Sequence, residues 1–202
     1  SRRKPSKSRG KLILVDSAKG GLGVTSIAAA LGEVLSSTGA KTTLVDLDFE
    51  SQDLSRFLLT RPFINEHLAP LLSGTQLINE SYLSEALTSV WADSTLKCLA
   101  PAPETNSLYA TESVYSRGLI SVLELLDATN DYVIVDSGSA RGAMLQSLYH
   151  VADIVYFVVS TDPAALFASL DRVSTLGKEL SPEALLCIVP NDSSNRSKKK
   201  KK

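Results

Sequence analysis

A glycine-rich turn between an apolar run and an alanine-rich segment is the stretch of this sequence best suited to chemistry. Residues 11–26 read K-L-I-L-V-D-S-A-K-G-G-L-G-V-T-S. Gly20, Gly21 and Gly23 lack a Cβ, so the backbone can curl and point its N–H groups inward. The dipole of a following helix adds to such a site, whose natural ligand is phosphate. The pattern predicts a strand, a phosphate-binding loop and a helix that starts near Thr25.

The loop departs from the strict phosphate-loop pattern G-x-x-x-x-G-K-[ST] at two positions. Ala18 occupies the position of the first glycine, and Val24 occupies that of the lysine. The chemistry of the chain therefore depends on what surrounds the loop.

Polar side chains follow three of the predicted strands. Asp46 and Asp48 follow a strand at 42–45, Asp136 follows a strand at 132–135, and Asn191 follows a strand at 185–189. Ligands of open parallel sheets bind at the carboxyl ends of the strands. Acids there can hold the water shell of Mg²⁺ and orient an attacking water, although they can equally be solvated acids that begin a loop. The Asn191 amide can read a purine edge or belong to an ordinary turn.

Alternating apolar strands and amphipathic helices predict an α/β fold with a mostly parallel sheet flanked by helices on both faces, a three-layer sandwich. The expected strands are 12–16, 42–45, 96–100, 132–135, 154–159 and 185–189. The expected helices run from Thr25 towards Gly39 and over 54–59, 66–72, 81–91, 111–127 and 164–180. We expect Trp91 in the core, Pro70 as a helix breaker and Gly118 as a weak point inside its helix.

The charge is unevenly distributed along the chain. Six of the 21 basic residues lie in the first eleven positions and six in the last seven, so the remaining nine face all 22 acids. The acidic body argues against a nucleic-acid partner, while the tails suit weak contact with anionic membrane. We expect a basic linker at 1–10, one domain at 11–191 and a polybasic tail at 192–202. Cys98 and Cys187 are expected to be buried thiols, and the chain has no signal peptide or membrane span, which predicts a cytoplasmic protein.

Six ordered segments together resemble the ParA/MinD family of ATPases with a deviant Walker A loop, and within it the CpaE/TadZ pilus-assembly branch. The segments are S-A-K-G-G-L-G-V-T-S, L-V-D-L-D-F-E-S-Q-D-L-S-R-F-L, L-A-P-A-P-E, D-Y-V-I-V-D-S, V-A-D-I-V-Y-F-V-V-S-T-D-P and I-V-P-N. The resemblance implies the P-loop NTPase-like fold, ATP and Mg²⁺ as ligands, and a homodimer. Members of that branch typically carry an atypical receiver domain ahead of the ATPase-like domain, which the basic linker fits.

The resemblance also implies roles for single residues. Lys19 is the signature lysine that reaches the partner's phosphates, and Asp48 helps to orient the attacking water. The implied metal residues are Thr25, Asp46 and Asp136, partly through water. The implied nucleotide-binding residues are Lys19, Gly20, Gly21, Leu22, Gly23, Val24, Thr25, Ser26 and Asn191, of which Asn191 reads adenine. Ser137-Gly138 stands where active relatives often have a proline-containing switch.

The missing lysine predicts a weak or inactive ATPase. One charge-assisted hydrogen bond contributes about 1.5–3 kcal/mol, so its loss weakens binding by roughly one to two orders of magnitude. The rate falls further, because phosphoryl transfer depends on charge placed around the γ-phosphate. We therefore expect a dimerising scaffold or localisation factor for a pilus or secretion system, recruited to the cell pole or the inner membrane face. The alternatives are an active positioning ATPase of the ParA/MinD type, a cellulose-secretion ATPase-like protein and, less favoured, a DNA partitioning protein.

Overall fold

The computed structural model describes residues 9–58, 67–92, 94–101 and 113–191, apart from the side chains of residues 113, 114, 164 and 165. Its strands are β1 Lys11–Ser17, β2 Thr42–Asp46, β3 Thr88–Ser89, β4 Leu96–Leu99, β5 Tyr132–Asp136, β6 Ile154–Ser160 and β7 Leu185–Asn191. Its helices are α1 Val24–Ser37, α2 Asp53–Phe57, α3 Leu68–Ser73, α4 Glu80–Ala86, α5 Ser113–Thr129, α6 Gly142–Val151 and α7 Pro163–Leu176.

The strands form one seven-stranded sheet in the order β3-β4-β2-β5-β1-β6-β7. Every pairing is parallel except that of β3 with β4. The central strands β1, β2 and β5 are buried on both faces, as parallel strands between helices must be, and β1 and β5 are apolar runs whereas β2 begins with two buried threonines. Asp46 and Asp136 are direct partners in the register of β2 and β5. The predicted α/β sheet is confirmed.

Each face of the sheet has its own apolar core, because helices cover both sides. Ile13, Leu44 and Ile134 pack on one face with side chains of α1 and α2. On the opposite face, Leu14 and Val135 pack with side chains of α3 to α7. The predicted three-layer sandwich is therefore confirmed, and the carboxyl ends of β1, β2 and β5 lie side by side at one edge.

The predicted helix over 81–91 is wrong in its second half. α4 ends at Ala86, and its N-cap is Asn79, whose side-chain oxygen accepts a hydrogen bond from the Tyr82 N–H. Thr88 and Ser89 instead pair with β4 as a short antiparallel strand, which satisfies their backbone groups at the sheet edge. Trp91 is 46% exposed, so its predicted place in the core is also wrong.

The structure gives Pro70 and Gly118 roles other than helix breaker and weak point. Pro70 lies in the first turn of α3, where the missing N–H has no intrahelical partner to lose. Gly118 is a contact point and not a defect, because a Cβ there would overlap the backbone of Leu72 in α3.

α6 was not predicted at all, and α7 ends at Leu176, before the predicted residue 180.

The residues just before β1 pack against the folded domain. Arg9 pairs with Asp127, and the Gly10 N–H donates to the Asp127 carbonyl at 3.1 Å, so these two residues of the predicted linker pack on α5. Cys98 is buried as expected, whereas Cys187 is only partly buried. Residues 1–8, 102–110 and 192–202, the end of the helix predicted over 54–59 and the starts of those predicted over 66–72 and 111–127 lie outside the described residues. Within the described residues, no helix combines the length and apolar character that crossing a bilayer requires.

Candidate functional site

The glycine loop joins the end of β1 to the start of α1 and is shaped by two glycines. Gly21 and Gly23 have φ angles of 81° and 91°, in the left-handed region where a residue with a Cβ is strained. The Ser17 hydroxyl donates a hydrogen bond of 2.8 Å to the Lys19 carbonyl. Leu22 is buried in the core, whereas the Lys19 side chain is exposed. The loop is thus anchored at Leu22 and open at Lys19.

The first turn of α1 supplies the rest of an anion site. α1 begins at Val24, with Gly23 as its N-cap and Thr25 and Ser26 in its first turn. That turn is fully described and contains no acidic side chain, so no side chain of the helix itself neutralises the partial positive charge of its end. The loop and this turn line a cavity of about 730 Å³. The structure therefore places the loop at the carboxyl edge of the sheet, where the sequence predicts it.

Asp46 ends β2 fully buried, and both of its carboxylate oxygens accept hydrogen bonds. Oδ1 accepts from the Asp48 N–H at 2.9 Å, and Oδ2 accepts from the N–H of Ser55 at 3.1 Å and from its hydroxyl at 2.9 Å. Burial raises the pKa of Asp46 to about 7. Asp46 does not line the cavity. Its carboxylate ties the loop after β2 to α2, and its place beside a metal stays a prediction.

Asp48 does line the cavity and begins a turn. Its Oδ1 accepts hydrogen bonds from the N–H groups of Glu50 and Ser51 at 3.2 and 3.1 Å. Gln52 closes the turn with a φ of 55°, held by a 2.9 Å hydrogen bond from its side chain to the Pro101 carbonyl. Among the described residues, no hydrogen bond reaches the second carboxylate oxygen of Asp48, and its predicted role beside an attacking water stays a prediction.

Asp136 ends β5 and is 1% exposed. Its Oδ1 accepts a hydrogen bond of 3.1 Å from the Gly138 N–H, whereas Oδ2 has no partner among the described residues. Burial raises the pKa of Asp136 to about 6, and the nearby Thr25 hydroxyl is the largest opposing influence. An unpartnered buried carboxylate oxygen beside a hydroxyl suits a hard cation such as Mg²⁺.

The protein offers few metal ligands beyond that pair. Among the described residues, no group of three or more His, Cys, Asp or Glu side chains is placed to hold a metal. Mg²⁺ ordinarily keeps several waters and binds phosphate oxygens alongside one or two protein groups. Thr25 and Asp136 therefore fit Mg²⁺ bound together with a phosphate ligand.

The loops after β2 and β5 are joined to each other. The Ser139 N–H and hydroxyl both donate to the Leu47 carbonyl, at 3.2 and 3.1 Å, and the hydroxyl accepts from the Phe49 N–H at 3.2 Å. Gly138 has a φ of 49°, and a Cβ there would overlap the backbone of Asp48. The two loops thus form one body at the floor of the cavity.

A buried acid in β1 was missed by the sequence analysis. Asp16 is 6% exposed and lines the cavity. Its oxygens accept hydrogen bonds from the Ser137 hydroxyl, at 2.6 Å, and from the Tyr149 hydroxyl. The signal was present, because Asp16 ends a buried apolar run in the same way as Asp46 and Asp136 do.

Arg172 in α7 extends this network. Its guanidinium lies 5.0 Å from the centre of the Tyr149 ring and makes hydrogen bonds of 2.6 and 2.8 Å to the Glu179 carboxylate. The hydrogen bonds to Glu179 raise the pKa of Arg172, and burial together with Asp16 raises the pKa of Tyr149. Arg172 also lines the cavity. No local signal pointed to it, because the contact depends on how α6 and α7 pack.

Acidic side chains outnumber basic ones in the lining of the cavity. The basic residues are Lys19, Arg141 and Arg172, and the acidic ones are Asp16, Asp48, Glu50, Asp53 and Asp136. A metal cation bound with the ligand would offset this excess.

Asn191 lies at the glycine loop but not in the cavity. Its Nδ2 donates a hydrogen bond of 2.7 Å to the Leu22 carbonyl, and it is absent from the cavity lining. The structure thus brings Asn191 to the loop, while its role as an adenine reader stays a prediction. The two histidines of the sequence lie elsewhere, His67 at the N-cap of α3 and His150 in the last turn of α6.

Comparisons with known proteins identify relatives of this arrangement. A family model described as an AAA domain matches residues 10–180. The septum site-determining protein MinD of Buchnera aphidicola is 26% identical over 184 residues, which are 89% of this chain and 63% of that protein. The flagellum site-determining protein YlxH of Helicobacter pylori is 26% identical over 162 residues, 79% of this chain and 51% of that protein. The chain thus spans about half to two thirds of the length of these relatives.

Solved structures share the fold over nearly the whole chain. A ParA family ATPase from Chlorobium tepidum superposes with a TM-score of 0.73 at 22% identity, covering 93% of this chain and 76% of that one. An ATP complex of McdA from Cyanothece gives 0.69 at 24% identity, with coverages of 91% and 71%. MinD from Pyrococcus horikoshii, complexed with Mg-ADP, gives 0.63 at 22% identity, with coverages of 88% and 68%.

Proposed function

Since the chain belongs to the AAA-domain family and is related to the ParA/MinD ATPases, we propose that it is an ATP-binding, dimerising positioning protein of that type. One observation carries the proposal: a single cavity is lined by the glycine loop, the first turn of α1 and Asp136, one of whose buried carboxylate oxygens has no partner among the described residues. Backbone N–H groups and a helix end bind phosphate, and the free carboxylate oxygen suits its metal.

Each part of the cavity has a task in this proposal. The loop from Lys19 to Gly23 cradles the phosphates, and Thr25 and Asp136 hold Mg²⁺, in part through water. When bound, the metal supplies positive charge that offsets both the phosphates and the acidic lining. Asp48, whose turn fixes its carboxylate at the cavity, orients an attacking water.

Lys19 is the residue on which the proposed dimer depends. Its side chain is exposed at the rim of the loop, where it is available to the phosphates of a second copy. The relatives are site-determining proteins by name, which supports a positioning role over the pilus scaffold expected from the sequence. Recruitment to the cell pole or the inner membrane face belongs to the same proposal.

Val24 favours a second candidate, an ATP-binding scaffold with little or no hydrolysis. No basic side chain stands at its position, so the charge that speeds phosphoryl transfer must come from other groups, such as Lys19 of the partner, Arg141, Arg172 or the metal, or be smaller. The two candidates differ in whether dimerisation depends on ATP and Lys19.

Calorimetry with ATP and Mg²⁺, light scattering and phosphate release together decide between them. A positioning ATPase should dimerise only with ATP, lose the dimer in Lys19→Ala and lose turnover in Asp48→Ala while still binding ATP. The exposed Lys178→Ala and Asp171→Ala variants are matched controls. A dimer that ignores ATP and Lys19 favours the scaffold, and failure of the wild type to bind ATP with Mg²⁺ would sink both.

A further inference from the structure

The glycine loop has a second attachment, made by the last residue of β7. Asn191 aligns with Ser160 at the end of β6, and its side-chain Nδ2 donates a hydrogen bond of 2.7 Å to the Leu22 carbonyl. These partners are 169 positions apart in the sequence. The outer strand of the sheet is therefore tied directly to the loop that follows β1.

The Asn191 amide lies against the next residue of the loop, so a Cβ there would have to displace the amide. A Cβ on Gly23 would lie 2.5 Å from the Asn191 Nδ2, which is far inside van der Waals contact. The φ of 91° at Gly23 disfavours a side chain independently. Gly23 thus serves both the turn of the backbone and the approach of the amide.

The hydrogen bond also fixes the direction of a backbone donor. In a trans peptide the carbonyl and the N–H point in opposite directions. Because Asn191 holds the Leu22 carbonyl, the Gly23 N–H of the same peptide is turned away from β7. Gly23 lines the cavity and Asn191 does not. Among the described residues, nothing accepts a hydrogen bond from the Gly23 N–H, so this donor is available to an anion.

We propose that Asn191 is a positioning residue of the anion site, which orients the Leu22–Gly23 peptide so that its N–H faces the phosphate. The inference rests on the proposed nucleotide function and deepens it. Asn191 then sets the affinity for the phosphate chain whatever base is attached. A residue that read adenine would instead set the preference for ATP over GTP.

Calorimetry of the full chain with ATP, GTP and inorganic tripolyphosphate, each with Mg²⁺, separates these roles. Asn191→Asp keeps the shape of the side chain but removes the donor. It should weaken all three ligands equally, by roughly 5- to 20-fold, with the ratio of ATP to GTP affinity unchanged. Ile188→Ala, exposed on the same strand, should change none of them. A loss confined to ATP, or no loss for any ligand, would overturn the proposal.

Hydrogen exchange tests the attachment without any nucleotide. The Ile27 N–H donates to the Gly23 carbonyl at 3.0 Å, so the amides of residues 27–30 should exchange about 5-fold faster in Asn191→Asp than in the wild type or Ile188→Ala. Asn191→Ala, which adds no charge, should change them in the same direction, and it serves as the second variant if Asn191→Asp fails to fold. If the wild type binds none of the three ligands, the nucleotide function fails. Unchanged exchange in both Asn191 variants would overturn the role of Asn191 itself.

Discussion

At the scale of single residues, the cavity combines a phosphate cradle with an unusual charge balance. Val24 stands in the first turn of α1 where the strict phosphate-loop pattern has a lysine, so a cation is missing there, and Asp16 contributes a carboxylate to the cavity lining. The backbone N–H groups are unaffected by either, since they depend on Gly21 and Gly23. In the proposed function, affinity and catalysis would thereby depend on different groups: the backbone N–H groups would retain a nucleotide, while fewer charges would speed phosphoryl transfer.

Restoring the lysine should raise nucleotide affinity. In Val24→Lys, a cation at the start of α1 should tighten binding of ATP with Mg²⁺ by roughly 10- to 100-fold, measured by calorimetry. The matched control is Val34→Lys, which adds the same charge to an exposed position of the same helix. Equal changes in the two variants would show that net charge, and not the position in the loop, is responsible.

The buried Asp46 should make stability depend on pH. Its pKa is raised to about 7 by burial, so between about pH 4 and pH 7 the unfolded chain releases a proton that the folded protein keeps. As the pH rises from about 4 to 7, the free energy of unfolding of the wild type should therefore fall, by on the order of 3 kcal/mol more than that of Asp46→Asn. Urea unfolding at several pH values measures it. Asp171→Asn, at an exposed site, should keep the wild-type slope, and an unchanged slope in Asp46→Asn would contradict the assignment.

At the scale of elements, backbone-to-backbone contacts hold the site and its supporting layer together. Ser139 and Gly138 join the loops after β2 and β5, so Asp48 and Asp136 are fixed relative to each other. Gly118 allows close packing of two helices, because without a Cβ there the backbone of α5 can approach the end of α3. Where two backbones meet, the absence of a Cβ is the structural requirement.

Gly118→Ala should therefore destabilise the protein although alanine is the better helix former. The added Cβ would overlap the Leu72 carbonyl, and the resulting strain of about 1–3 kcal/mol should exceed the gain of up to ~1 kcal/mol in helix propensity. A Cβ on Gly177 would meet no atom within 4 Å, so Gly177→Ala is the control and should stay within about 0.5 kcal/mol of the wild type. Denaturant unfolding compares the two, and a neutral Gly118→Ala would mean that α3 shifts freely.

At the scale of the whole molecule, the sequence predicts most of the strands and helices whose buried residues form an apolar run or recur at helical spacing. Strands β1 and β5 are recognisable as apolar runs and β2 as a short β-branched and apolar segment, and they place Asp46, Asp48 and Asp136 at one edge. α6 carried a usable signal in Met144 and Leu148, four positions apart. The pairing of Thr88 with β4, the approach of Arg172 to Tyr149 and the contact of Asn191 with Leu22 depend on tertiary packing. No local pattern encodes them.

The uneven charge of the chain predicts where polyanions can bind. The body holds nine basic against 22 acidic residues, so contact with anionic vesicles should depend on the tails and weaken with salt. Replacing Lys198 to Lys202 with serine should remove up to ~1 kcal/mol per lysine, measured by vesicle sedimentation with neutral vesicles as the control. Undiminished binding of this variant would locate the contact on the folded body.

The exposed Trp91 has a practical consequence for such measurements. It is the only tryptophan in the sequence and follows β3, at the opposite end of the sheet from β7. Intrinsic tryptophan emission should therefore report chiefly on the β3 edge, which β4, β2 and β5 separate from β1 and its glycine loop. An optical assay of ligand binding needs a fluorophore on the nucleotide or a second tryptophan introduced beside the cavity.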